Sequence, residues 1–266
     1  ETATTLEPTQ QKFMAIFYVV VFGWLFTRIP LYVTGFIGVG LSILFNIGKP
    51  AEIFANFGHP IIFLFLAGFL LAKAFNNVGL DRRISLYLLT RPFIKGSFTR
   101  LIFTLMALTM TFTMWISNTA TTAMMLPLVL GVLDSLKIQS RKLVSFVLIA
   151  IAYASSIGGI ATPIGSTPNI IALGMLEEII DLKISFLEWM SYSFPISVVF
   201  LITLMILTRI QVKKEKIKFD NAFLIHQFQS LPYISKGEIF TAIIFLATIC
   251  CCCLLYTSPS PRDGLL

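Results

Sequence analysis

The sequence predicts an all-α, polytopic membrane protein. Of its 266 residues, 56% are hydrophobic and only 12% are charged, about half the charged share of a soluble domain. The apolar residues, 25 Phe among them, gather into runs near the ~20 residues a helix needs to cross a bilayer. Sustained period-two alternation, the pattern of membrane-barrel strands, is missing. Mean hydropathy is +0.87.

The runs fall at 13–27, 29–47, 60–75, 101–133, 143–175, 194–207 and from 239 to at least 249. Several are short for a full span, and tilt or snorkelling flanks cover such a shortfall. Two carry a polar interruption. Ser117-Asn118-Thr119 divides 101–133, and Gly165-Ser166-Thr167-Pro168-Asn169 divides 143–175.

Loop charges set a topology. Residues 81–100 hold Arg82, Arg83, Arg91, Lys95 and Arg100 against Asp81, and 134–142 hold Lys137, Arg141 and Lys142 against Asp134. Both belong on the cytoplasmic side, because basic loops stay inside. The stretch between them must therefore cross an even number of times, yet it is too short for two full spans. A re-entrant hairpin over 101–134, turning at Ser117-Asn118-Thr119, satisfies both. Residues 176–189 are acidic (Glu177, Glu178, Asp181 and Glu188 against Lys183) and belong outside. Residues 209–236, with Lys213, Lys214, Lys216 and Lys218, belong inside. This last cluster reads as a positive-inside anchor, with an anionic-lipid site as the lesser alternative. The formal net charge of +7 follows from such loops and calls for no nucleic-acid partner.

A backbone break at membrane depth survives only where protein or a water-filled cavity surrounds it. Paired breaks on consecutive segments mark a transporter binding site. At a hairpin tip, the first arm ends in free carbonyls that attract a cation. The second arm begins with free amides that attract an anion. Ser117, Asn118 and Thr119 add hydroxyls and a carboxamide. Thr113, four residues before Ser117, is expected on the same helical face. In the second break Gly165 permits close backbone approach, Pro168 suits the first turn of a half-helix, and Ser166 and Asn169 supply polar groups. Ser155, Ser156, Gly158 and Gly159 are expected to let a neighbouring helix pack closely. The plain alternative for any one such triplet is interhelical packing; two breaks and the hairpin topology together weigh against it.

Neither broken run contains Asp, Glu, Lys, Arg or His. That favours a neutral-oxygen site suited to Na⁺ over a proton relay built from carboxylates, and an anionic over a cationic substrate. The two histidines, His59 and His226, lie outside the breaks, and the chain has no HExxH or GxSxG pattern, so an enzyme is not expected. The four cysteines, Cys250 to Cys253, are adjacent and match neither a disulfide framework nor a metal site; no cofactor is expected.

The run Thr113-Met114-Trp115-Ile116-Ser117-Asn118-Thr119-Ala120-Thr121-Thr122-Ala123-Met124-Met125-Leu126-Pro127 resembles the first Ser-Asn-Thr signature of the divalent anion/sodium symporters. The run from Ile157-Gly158-Gly159 to Gly165-Ser166-Thr167-Pro168-Asn169 resembles that family's second landmark. Pro60 to Phe69 and Ile184 to Met190 are also similar. The resemblance implies a sodium-coupled carrier of di- and tricarboxylates or sulfate, built of two inverted repeats. This chain would carry one repeat, the N-terminal portion, of an elevator-type, homodimeric transporter. It further implies a Na⁺ site at Thr113, Ser117, Asn118 and Gly165, and contacts to a substrate carboxylate at Asn118, Thr119 and Ser166. Thr113 stands where the family often has serine. Alternatives are a related carrier of arsenite or of Na⁺ against H⁺, and, further off, a channel. The expected divisions are scaffold helices and basic loop in 1–100, a transport half in 101–210, a basic linker and next span in 211–249, and a non-native tail in 250–266. The transport half comprises the hairpin 101–134, the broken helix 143–175 and the helix 194–207. The chain opens on Glu1, its first residues are not expected to be a signal peptide, and both ends are expected to be incomplete, leaving the second Ser-Asn-Thr hairpin outside.

Overall fold

The computed structural model describes residues 7–58, 60–94, 96–138, 140–212, 217 and 222–255, with side chains omitted at 60, 61, 64, 65 and 252–255. His59, Lys95 and the lysines at 213, 214, 216 and 218 lie outside the described residues, as does the tail from 256. The described chain is helical, without a strand: α1 (Pro8–Phe26), α2 (Leu31–Leu44), α3 (Pro50–Ala55), α4 (Pro60–Asn77), α5 (Leu80–Leu89), α6 (Phe98–Thr113), α7 (Asn118–Ser135), α8 (Arg141–Ala161), α9 (Thr167–Ile180), α10 (Phe186–Val212), α11 (Ala222–Gln229) and α12 (Lys236–Leu255).

Among the described residues, α1, α8 and α10 are long and apolar enough to cross a membrane. Their outer faces are apolar too: Leu25, Val199, Ile206 and Ile210 are exposed, as suits a protein whose surroundings are lipid. The architecture fits a polytopic membrane protein.

Two compact units divide the chain, 1–63 and 64–266. These are packing units, whereas the divisions expected at 100 and 210 separate roles. In the first unit α1 and α2 pack closely: a Cβ at Gly23 would lie 2.9 Å from Thr34 Cγ2, and one at Gly38 2.7 Å from Val20 Cγ2.

In the second unit α6 and α8 pair most extensively, and α8 also packs against α7 and α10. Leu101, Ile102, Leu105 and Met106 of α6 and Val147, Ala150, Ile151 and Ala154 of α8 form the core between them. Local chemistry starts these helices. Ser97, Ser117 and Ser140 each accept an amide of the following turn, from Arg100, Ala120 and Leu143, which satisfies one otherwise orphaned donor per helix. Ser185 with Glu188, and Ser235 with Glu238, close reciprocal capping boxes at the starts of α10 and α12.

Three expectations need correction. The basic stretch 81–100 is not merely a loop. It contains α5, whose buried residues Leu80, Ser85, Leu86 and Leu89 follow helical spacing. The run 194–207 is the middle of a 27-residue helix, α10; Ser191 and Tyr192 continue it with polar side chains outward. Thr113 and Ser117 do not share a helical face, because α6 ends at Thr113 and Ser117 is already the cap of α7. A turn, 114–117, separates them.

Candidate functional site: two interrupted helices meeting at a glycine pair

The first break is the turn 114–117 between α6 and α7, and the second is 162–166 between α8 and α9. They meet because α8 carries Gly158 and Gly159. A Cβ on Gly158 would overlap Thr113 Oγ1 and the Met110 carbonyl, and one on Gly159 would lie 2.6 Å from Asn118 Nδ2 and 2.8 Å from its Cγ. The end of α6 and the start of α7 therefore rest directly on α8 backbone. Gly165 completes the approach: a Cβ there would lie 2.8 Å from both the Thr113 and the Gly159 carbonyl oxygens.

Hydrogen bonds lock the junction. Ser155 Oγ donates to the Asn118 carbonyl at 2.9 Å. Thr162 Oγ1 donates to the Met114 carbonyl and accepts from the Gly165 amide. Asn169 Nδ2 donates to the Gly159 carbonyl at 2.7 Å and the Thr162 carbonyl at 2.9 Å. Trp189 Nε1 ties the start of α10 to the Ile160 carbonyl at 3.1 Å. Trp115 anchors the turn itself, stacked on Phe186 with centroids 6.0 Å apart and edge-on to Phe245 at 6.2 Å.

Thr113 is fully buried, and its hydroxyl donates within reach of the Thr109 and Met110 carbonyls, 3.0 Å from each. A hydroxyl keeps acceptor lone pairs while donating. Ser117 and Asn118 are half-buried, Gly165 is buried, Ser166 is half-buried as the cap of α9, and Thr119 is exposed. Pro168 lies in the first turn of α9, where a missing amide costs no hydrogen bond. The geometry thus gathers Thr113, Asn118, Gly159 and Gly165 into one neighbourhood. Ser156 stands apart: exposed, it donates to the Ala152 carbonyl of its own helix.

Asn118 Oδ1 is buried and has no hydrogen-bond partner, and the same holds for Thr121 Oγ1. Buried polar atoms are nearly always satisfied, so two such oxygens beside one break are an acceptor surface in want of a cation or a donor. Sequence reasoning missed Thr121 and Thr162. Thr121 carries a signal in hindsight, since it lies one turn beyond Ser117. Thr162 carries none, because its partners belong to the other break.

A citrate transporter family model matches residues 21–261. The chain belongs to this family. It is 32% identical over 196 residues to an uncharacterized transporter of Haemophilus influenzae, covering 73% of this chain and 41% of that protein. It is 31% identical to the sodium-dependent dicarboxylate transporters SdcS of Staphylococcus aureus (67% of this chain, 36% of that one) and of Staphylococcus saprophyticus (73% and 39%). The likeness to the divalent anion/sodium symporters, drawn from the two broken motifs, stands at the level of family. The chain spans well under half the length of these relatives.

Proposed function

We propose that the gene product carrying this chain is a sodium-coupled secondary transporter of dicarboxylates or tricarboxylates, or of sulfate. One observation carries the proposal. Two interrupted helices meet at Gly158-Gly159 and set buried, partly unpartnered oxygens around the meeting point, with no ionisable residue in either broken run. A neutral oxygen cluster without a carboxylate suits a monovalent cation, and half-helix ends at such breaks serve ions and anionic substrates in secondary transporters. The relatives named sodium-dependent dicarboxylate transporters support the same reading.

In this proposal Asn118 Oδ1, the hydroxyls of Thr113 and Ser117 and the backbone at Gly165 hold Na⁺. Asn118, Thr119 and Ser166, at the amide-rich starts of α7 and α9, take a substrate carboxylate, as anions favour helix N-termini. The pair α6–α7 is the re-entrant hairpin, entered from the cytoplasm. The full protein is a homodimer whose transport half moves as an elevator in a plasma or inner membrane.

The test is uptake of labelled succinate, citrate and sulfate into proteoliposomes of the full-length gene product, driven by an inward Na⁺ gradient. Saturable uptake of at least one anion, lost when choline replaces Na⁺, is expected. Equal uptake in both buffers overturns the coupling, and no uptake of any of the three overturns the substrate class.

A further inference from the structure

Seven helical threonines among the described residues share a habit. Thr104, Thr109, Thr111, Thr113, Thr203, Thr208 and Thr248 each donate a hydroxyl to the carbonyl one turn back in their own helix. This is how a helical threonine ordinarily satisfies itself. Thr121 departs from it. It is 1% exposed, and its Oγ1 has no partner, although the carbonyl one turn back, that of Ser117, already accepts the Thr121 amide at 3.0 Å. The helix is intact at this point, so a broken backbone does not explain the orphaned hydroxyl.

Its position does. The buried face of α7 is Thr121, Met125, Val129 and Val132, a stripe at helical spacing with Thr121 at its upper end. Asn118 lies three residues before Thr121 and Ser117 four, so their side chains neighbour it on the helix surface. The two orphaned oxygens, Asn118 Oδ1 and Thr121 Oγ1, are thus a turn apart, beside the junction with α8. An apolar residue in place of Thr121 would extend the buried stripe without leaving a polar atom unpaired, whereas the threonine leaves one.

We propose that Thr121 is a further ligand of the cation held by Asn118: its hydroxyl oxygen points a lone pair at the same ion, one helical turn below the tip of the hairpin. The assignment rests on the proposed sodium coupling and deepens it. It makes α7 contribute from two successive turns, so the ion sits along the buried face of the helix as well as at its exposed N-terminus. It also gives the site a dependence on hydroxyl placement at a buried position, whereas Thr119, a proposed anion contact, is exposed.

The experiment compares the full-length gene product with its Thr121→Val and Thr121→Ser variants, measuring the Na⁺ concentration for half-maximal succinate uptake, or citrate or sulfate uptake if wild type prefers it. Thr121→Val keeps the shape and removes the oxygen. It should raise the half-maximal Na⁺ concentration about tenfold or more, the value of one lost contact to a charged group, with KM for the anion at saturating Na⁺ little changed. Its melting temperature in choline chloride should equal or exceed that of wild type, because an unpaired buried hydroxyl has become a methyl. Thr121→Ser should keep the wild-type Na⁺ dependence. A valine variant with unaltered Na⁺ dependence removes Thr121 from the site while leaving the sodium coupling standing. Equal shifts in the valine and serine variants, of which only serine keeps the hydroxyl, would show that the effect does not follow the oxygen and would likewise overturn it. Uptake by wild type that ignores Na⁺ removes the proposed function, and this ligand with it.

Discussion

The two breaks carry an asparagine each, Asn118 at the start of α7 and Asn169 in the first turn of α9, and the molecule uses them differently. Asn169 is a clasp. Its amide group donates to two carbonyls, of Gly159 and Thr162, at the frayed end of α8, where carbonyls lose their intrahelical donors. The carboxamide of Asn118 rests against Gly159, and its oxygen has no partner. One break is therefore closed by its own side chain, and the other is left with acceptors to offer. A satisfied network rigidifies, and an unsatisfied buried oxygen costs stability until something binds it. In the proposed site the first break then supplies the side-chain ligands, and the second supplies the frame together with the Gly165 backbone.

The largest expected effect comes from the glycine pair that joins them. Gly158→Ala drives a Cβ into the Met110 carbonyl, which is backbone and cannot swing aside. It should leave no monodisperse protein on size-exclusion chromatography in detergent. The nearest atoms to a Cβ in Gly159→Ala belong to the Asn118 side chain, which can move, so this variant should fold, with Na⁺ affinity impaired. Next, Asn118→Ala should raise the half-maximal Na⁺ concentration about 10- to 100-fold, one or two contacts to a charged group, while thermal stability in choline holds or rises. Asn169→Ala should do the reverse. Two buried carbonyls lose their donor, costing about 1–3 kcal/mol each at most, which a thermal melt in detergent reads as a lower melting temperature. A swap of these two phenotypes would break the distinction between clasp and ligand.

The smallest effects concern pH. With no ionisable residue in either broken run, half-maximal Na⁺ should stay flat between about pH 6 and 8, where a histidine-based site would titrate. Away from the junction, the contrast is Glu238 in the first turn of α12, ahead of the apolar run. Its carboxylate takes Arg83 Nε at 2.7 Å and the Ser235 amide at 2.6 Å. The Arg83 hydrogen bond holds its pKa below the ordinary glutamate range, against the desolvation that raises it. A depressed folded pKa gives stability that is present above the unfolded value and lost as pH falls through the folded one. The melting-temperature gap between wild type and Glu238→Gln should therefore be full at neutral pH and close in acid below the usual glutamate pKa.

Both breaks were legible in the sequence, because Ser117-Asn118-Thr119 and Gly165 to Asn169 interrupt runs otherwise free of such clusters, and Pro168 marks where the second helix resumes. What each asparagine does was not legible. The same side chain becomes a clasp or keeps an unpartnered oxygen according to which carbonyls a neighbouring helix end presents, and that is a tertiary fact. Thr113 was expected beside Ser117 on one continuous helix, whereas a turn separates the two and Thr113 lies against Gly158 and Gly165. Helix ends were misjudged wherever hydropathy stood in for periodicity: α5 is amphipathic and rich in arginine, and α10 runs well past its apolar middle. The Arg83–Glu238 pair joins residues 155 apart, a separation over which local patterning carries no signal.

The central claim is that Asn118 belongs to a cation site and Asn169 to its frame. Melting curves of purified full-length gene product in NaCl and in choline chloride, for wild type, Asn118→Ala and Asn169→Ala, test it without requiring transport. Na⁺ binding to the folded state alone must raise the melting temperature. The account predicts a Na⁺-dependent rise for wild type and for Asn169→Ala, the latter from a lower baseline, and none for Asn118→Ala. A rise that survives in Asn118→Ala and vanishes in Asn169→Ala would contradict it.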